Sequence, residues 1–178
     1  MIRTVALFAG VMPKTIEDKA LAEAVGEVLG LAKYTVLHGG YNGLMEAAAR
    51  GAARHGVPVV AVTLAGHPEW GDLNPYVTEP PVLAESMGER LHAYLDAADL
   101  VVAMGGGVGT LHEVSAAMYY ATVIRTVPVR LIGPAAGRLD AFLRAEGWLT
   151  QTPTRSLDFL RALPDADALA ADLADGVR

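Results

Sequence analysis

An open, parallel α/β sheet with helices on both faces is the fold this sequence predicts, and three features predict it. Short apolar runs alternate with helix-period segments along the chain. The runs have the length and β-branched content of buried strands, as in a sheet covered on both sides. Two junctions, at residues 38–43 (His-Gly-Gly-Tyr-Asn-Gly) and 105–109 (Gly-Gly-Gly-Val-Gly), are glycine turns that lead from a strand into a helix.

Residues 4–9 read as the first strand, closed by Gly10. Residues 14–32 follow as an amphipathic helix with Ala20, Leu21, Ala24, Val25, Val28 and Leu29 on one face. A second strand, 34–37, runs through the first glycine turn into an alanine-rich helix, 44–55, with Asn42 as its N-cap. Gly56-Val57-Pro58 turns into a third strand, 59–64, and residues 65–81 lack periodicity, a loop long enough to have a task. A helix over 86–97 is expected to bury Leu83, Met87, Leu91 and Leu95. The fourth strand, 100–104, enters the second glycine turn and a helix to residue 122. A fifth strand at 127–132, a helix at 137–146 and one or two short helices within 158–175 complete the reading. The whole, 1–178, is expected to form one domain with a helical tail over 158–178. Right-handed crossovers give a strand order of 3-2-1-4-5, which sets the turn after Ala9 opposite the turn after Met104. Ligands bind at such a switch point, outside the carboxyl ends of the strands.

Composition narrows the function. With 52% apolar and 19% charged residues the chain is globular, and no apolar run approaches the roughly 18 residues of a membrane span. The first residues begin a strand and not a signal peptide, so a cytoplasmic location is expected. A net charge of −6 argues against nucleic acid as partner, but a small anion remains open to a locally positive pocket. The chain has no cysteine, and its five histidines show no metal-ligand spacing, so no metal site is expected.

The glycine turns carry the chemistry. Bare backbone before a helix leaves N–H donors, at the positive end of the helix dipole, that suit a phosphate. Gly10, Gly39, Gly40, Gly43, Gly105, Gly106, Gly107, Gly109 and Thr110 are the candidates for holding one. Thr110-x-x-Glu113 also fits a capping box, with Glu113 in the first helical turn, and capping alone would explain both residues. Ser86-x-x-Glu89 has the same spacing, and Arg90 behind it can form a bidentate fork with phosphate or carboxylate.

Gly106-Gly107-x-Gly-Thr-x-x-Glu113, preceded by Met87-x-x-Arg90 and by Gly39-Gly40-x-x-Gly43-Leu-Met45, resembles the LONELY GUY family, long labelled "possible lysine decarboxylase". The resemblance implies a Rossmann-like, three-layer αβα fold and a homodimer or higher oligomer. It implies hydrolysis of the N-glycosidic bond of a cytokinin riboside 5′-monophosphate or AMP, with no cofactor. It places the family's motif arginine on Arg90, its motif glutamate on Glu113 and its phosphate cradle on the glycine turns. Met87 is a further candidate for binding the substrate, and Glu69, in the 65–81 loop, for contacting ribose hydroxyls. The chain departs from that pattern at Gly105 (usually Pro), Leu91 (usually Lys), Glu46 (usually Gly) and Gly10-Val11-Met12 (usually Gly-Ser-Ser). Gly43-Leu-Met-Glu-Ala and the glycine triplet resemble instead a sister branch similar to molybdenum-cofactor carrier proteins, so a non-catalytic nucleotide or cofactor carrier is the alternative. Lysine decarboxylation is set aside, because Lys14, Lys19 and Lys33 are the only lysines and none lies in a motif that could hold pyridoxal.

Overall fold

The computed structural model describes residues 3–176; Met1, Ile2, Val177 and Arg178, the ends of the expected domain and tail, lie outside the described residues. Seven parallel strands form the sheet: β1 (Arg3–Phe8), β2 (Tyr34–His38), β3 (Val59–Leu64), β4 (Val82–Ala84), β5 (Leu100–Ala103), β6 (Val129–Ile132) and β7 (Leu160–Leu163). Their order is β4-β3-β2-β1-β5-β6-β7. The five expected strands keep their expected order, and one short strand is added at each edge.

Alternation of side chains places Val5 and Leu7 of β1 against α1 (Ile16–Leu31), α2 (Leu44–Ala53) and α6 (Ala166–Ala174). Ala6 and Phe8 face α3 (Met87–Ala97), α4 (Val108–Val123) and α5 (Gly133–Ala145). The result is a Rossmann-like three-layer α/β fold.

Five details depart from the sequence reading. Residues 82–84 form the edge strand β4, so Leu83 (59% exposed) and Met87 (39% exposed) miss the core that receives Leu95. The 158–175 segment holds one helix, α6, preceded by β7. α5 starts at Gly133, directly out of β6, because Pro134 suits the first turn of a helix. Gly43, not Asn42, is the N-cap of α2. α1 buries Ala22, Val25, Gly26, Leu29 and Gly30 rather than the broader face expected. The reason is contact with α2: a Cβ on Gly26 would strike the Ala48 backbone, and one on Gly51 would strike the Glu23 carbonyl.

Arg130 is fully buried in β6. Its Nε donates to Asp172 of α6 at 2.5 Å and its Nη1 to the Phe159 carbonyl at 2.9 Å, while Arg161 of β7 reaches the other Asp172 oxygen at 2.6 Å. Removing the carboxylate leaves a buried cation without its partner. Asp172→Ala is therefore expected to lower stability by about 3–5 kcal/mol in urea denaturation, far more than an exposed aspartate would.

Candidate functional site

The turns after β1, β2 and β5 meet at one main-chain residue. The Gly10 N–H donates to the Gly105 carbonyl at 2.9 Å, and the Gly10 carbonyl accepts from the Leu44 N–H, at the start of α2, at 3.0 Å. A Cβ on Gly10 would lie 2.7 Å from the Gly106 Cα, so no other residue lets these turns close. Above this junction opens a cavity of about 420 Å³.

Its rim is the start of α4. Gly107 and Gly109 face open space, with nothing within 4 Å of where their Cβ atoms would be, and Thr110 lines the wall below them. α4 begins at Val108 with Gly107 as N-cap and no side-chain cap. Thr110 and Glu113 thus lie inside the helix and form no capping box; Glu113 is in the second turn, not the first, and is free to point into the cavity. At Ser86 half of the expected box forms: its hydroxyl accepts from the Glu89 N–H at 3.2 Å, while Glu89 accepts from the Glu85 N–H.

Glu113 and Arg90 stand together at the cavity floor, with Arg90 Nη1 3.7 Å from Glu113 Oε1. The rest of the guanidinium belongs to the scaffold. Nε donates to the Val62 carbonyl of β3 at 2.9 Å and Nη2 to the Tyr94 hydroxyl at 3.2 Å, and Tyr94 itself donates to the Val62 carbonyl at 2.9 Å. Gly39 makes room for this arrangement, since a Cβ there would lie 2.8 Å from Arg90 Nη2. Burial pushes the Glu113 carboxyl up to about 7, with the charge of Arg90 pulling it only partly back.

The remaining candidates divide. Gly10 lines the cavity, Gly105 and Gly106 line the opposite side of the turn, and Gly107 borders both. Gly40 and Gly43 are packed beneath the site, against Ala61 and Leu73 and against the Val11 backbone. Met87 and Glu69 are exposed and outside the cavity lining; Glu69 pairs with His67 at 2.8 Å. Its neighbour Trp70 lines the cavity in its place, edge-on to Tyr41 with ring centroids 5.7 Å apart. Tyr41, Asn42, Met45, Val11 and Trp70 are lining residues that the sequence reading did not assign to the site. The loop carrying Trp70 is held by buried Asn74, whose Nδ2 donates to the Gly40 and Tyr41 carbonyls at 3.0 Å each. No local sequence pattern marks this contact, in which one amide fixes a long loop to a glycine turn. His38, also buried, accepts from the Gly40 N–H at 2.8 Å through Nδ1, and burial lowers its pKa to about 4. It shapes the turn as a neutral ring.

The sequence signature of the SLOG cluster4 family matches residues 5–141. The chain belongs to the SLOG cluster4 family. It is a member of the SLOG superfamily, which includes LONELY GUY-like and molybdenum-cofactor-carrier-like folds, so the expected LONELY GUY kinship holds at the level of the superfamily. The SLOG cluster4 chain is 29% identical over 102 residues, 57% of its length, to an uncharacterized protein of Archaeoglobus fulgidus, and spans 65% of that curated relative. Its fold is similar to the molybdenum cofactor binding protein of Rippkaea orientalis (TM-score 0.75, 18% identity, 100% of this chain and 99% of that one). It is equally similar to the molybdenum cofactor carrier protein of Chlamydomonas reinhardtii (TM-score 0.75, 19% identity, 98% of each chain). At these identities the likeness shows the fold alone. Among the described residues no helix is long and apolar enough to cross a membrane.

The shifted carboxyl has a measurable consequence. Between the ordinary carboxylate range and about pH 7 the folded chain keeps a proton on Glu113 that the unfolded chain has lost. The Glu113 contribution to stability therefore falls as pH rises through that window and is flat above it. Glu113→Gln is expected to remove this slope, so that the variant gains on the wild type by on the order of 3 kcal/mol between pH 5 and pH 8. Chemical denaturation at the two pH values checks it.

Proposed function

We propose that this SLOG cluster4 protein binds a phosphorylated heterocycle, a nucleotide or the molybdenum cofactor, and holds it without cleaving it. The observation that carries the reading is the opposition across one cavity of an aromatic wall, Tyr41 and Trp70, and the uncapped, glycine-lined start of α4. Flat rings pack on the first and phosphate oxygens accept N–H bonds from the second. A nucleotide offers both parts, and so does the molybdenum cofactor, a pterin bearing a phosphate. The roles of the two similar proteins, binding and carrying that cofactor, support this reading. So does Arg90: with two of its nitrogens committed to β3 and Tyr94, it serves as a positioning residue for Glu113 and leaves phosphate to the main chain.

One observation favours a second reading, N-glycosidic hydrolysis. A carboxylate that titrates at about 7 stands on the cavity floor. When ionised it would stabilise positive charge growing on the ribose as the carbon–nitrogen bond to the base breaks, and orient the water whose oxygen bonds to that carbon. The water's proton passes to the carboxylate or the departing base.

Calorimetry with AMP and with molybdenum cofactor, followed by chromatography for free base, separates the readings. Saturable binding of one of them, with no adenine released from AMP between pH 5 and 9, is expected. Adenine release that vanishes in Glu113→Gln assigns hydrolysis instead, and no binding of either compound overturns both. Gly109→Asp places a negative charge at the mouth without a steric clash. It is expected to weaken binding at least about 100-fold while leaving thermal stability unchanged, since acidic residues suit a helix N-terminus.

We also propose that the protein pairs with a second copy through α4. Val108, Leu111, Tyr119 and Val123 leave an apolar stripe on its outer face, with Tyr119 70% exposed, and patches of this kind mark association surfaces. Sedimentation velocity should give a dimer or larger species, and Tyr119→Asp should shift it to monomer.

A further inference from the structure

On the opposite side of the α4 start lies a second cavity, of about 400 Å³. Gly105, Gly106 and Gly107 form one wall and the first residues of α5 another, and the side chains of Lys14 and Arg138 stand at its edge. Gly107 and Thr110 line both cavities. The two spaces are therefore neighbours across a ridge of one bare glycine and one threonine.

Much of the wall of the second cavity is apolar, from Met104, Val108, Leu111, Val114, Leu131 and Leu139, and the charge at its edge is one-sided. No carboxylate lines it, and both of its charged residues are cations. All of the described residues' ion pairs leave Lys14 and Arg138 out. Thr110 is only 8% exposed, and its hydroxyl, set against Gly106, takes part in none of the side-chain hydrogen bonds among the described residues. That hydroxyl is open to the cavities rather than sealed in the core, so on the shared ridge it is a donor within a ligand's reach. α5, like α4, begins without a side-chain cap; Pro134 has no N–H to offer, but Ala135 and Ala136 of its first turn line the same space. The first cavity has the opposite character: an aromatic wall, and a single cation already facing Glu113.

We propose that the ligand carries a second phosphoryl group, making it a nucleoside diphosphate or a related diphosphate ester. The heterocycle and sugar lie in the first cavity, the first phosphate on the Gly107–Thr110 ridge, and the second between Lys14 and Arg138. The inference rests on the phosphorylated-heterocycle reading above and narrows it to a ligand class. Thr110 donates to the bridging region, and the two cations meet charge that a monophosphate does not bring to them.

The test is calorimetry with AMP and ADP, on the wild type and on the double variant Lys14→Ala/Arg138→Ala. Both side chains are exposed, so the variant should melt as the wild type does. The expected result is ADP binding at least about tenfold more tightly than AMP, as charge-assisted contacts to one added phosphate would give. In the double variant that advantage should shrink to about twofold or less, with AMP affinity unchanged. Equal affinities in the wild type, or an advantage that survives in the variant, overturn the inference while leaving AMP binding as support for the broader reading. Failure of both nucleotides to bind overturns the two together.

Discussion

The site depends on how closely two stretches of backbone approach each other. Gly10 and Gly106 touch at a distance no side chain permits, and Gly10 binds the β5 turn with its N–H and α2 with its carbonyl. Three strand ends are thereby fixed to one another by main chain alone. Backbone atoms have no rotamers to lose, so a cavity framed by them is ordered before any ligand arrives. Preorganised donors of this kind bind anions without a reorganisation cost, and a phosphate held by them would need few cations even on a protein of net charge −6.

Arg90 and Glu113 show a similar division of labour. The guanidinium is anchored to β3 and to Tyr94, which is itself buried against Phe8, its ring edge-on at 5.3 Å between centroids. The arginine is thus part of the sheet's covering layer, and only one of its nitrogens is presented to the cavity. Glu113 sits at the meeting of desolvation and that remaining charge. Its proton is held loosely enough near neutral pH that a bound anion or a change of pH would alter its state.

Much of this was legible in the residues. Alternation of strand and helix dictates a parallel sheet, and the handedness of crossovers dictates the order of its five central strands. β4 and β7 escaped because edge strands are short and half exposed; Leu83 reads as helix-face leucine spacing until the sheet gives it a neighbour. The glycine turns were visible, but not which glycines face the cavity and which make room. Gly39 yields space to an arginine some fifty positions later in the chain, a relation no local pattern carries. Thr110-x-x-Glu113 has the spacing of a capping box, and only the start of α4 at Val108 decides that it is not one. Trp70 reaches the cavity because Asn74 holds its loop, a tertiary fact invisible to composition.

The pairing of Arg130 with Asp172 has a consequence for how the chain acquires its shape during synthesis. The arginine occupies the middle of β6, yet its counter-charge arrives 42 residues later, on the last helix. Until that helix emerges from the ribosome, β6 can join the growing sheet only by taking an unmatched cation out of water. Closing the β6–β7 side of the sheet is therefore costly until α6 is in place to supply the carboxylate.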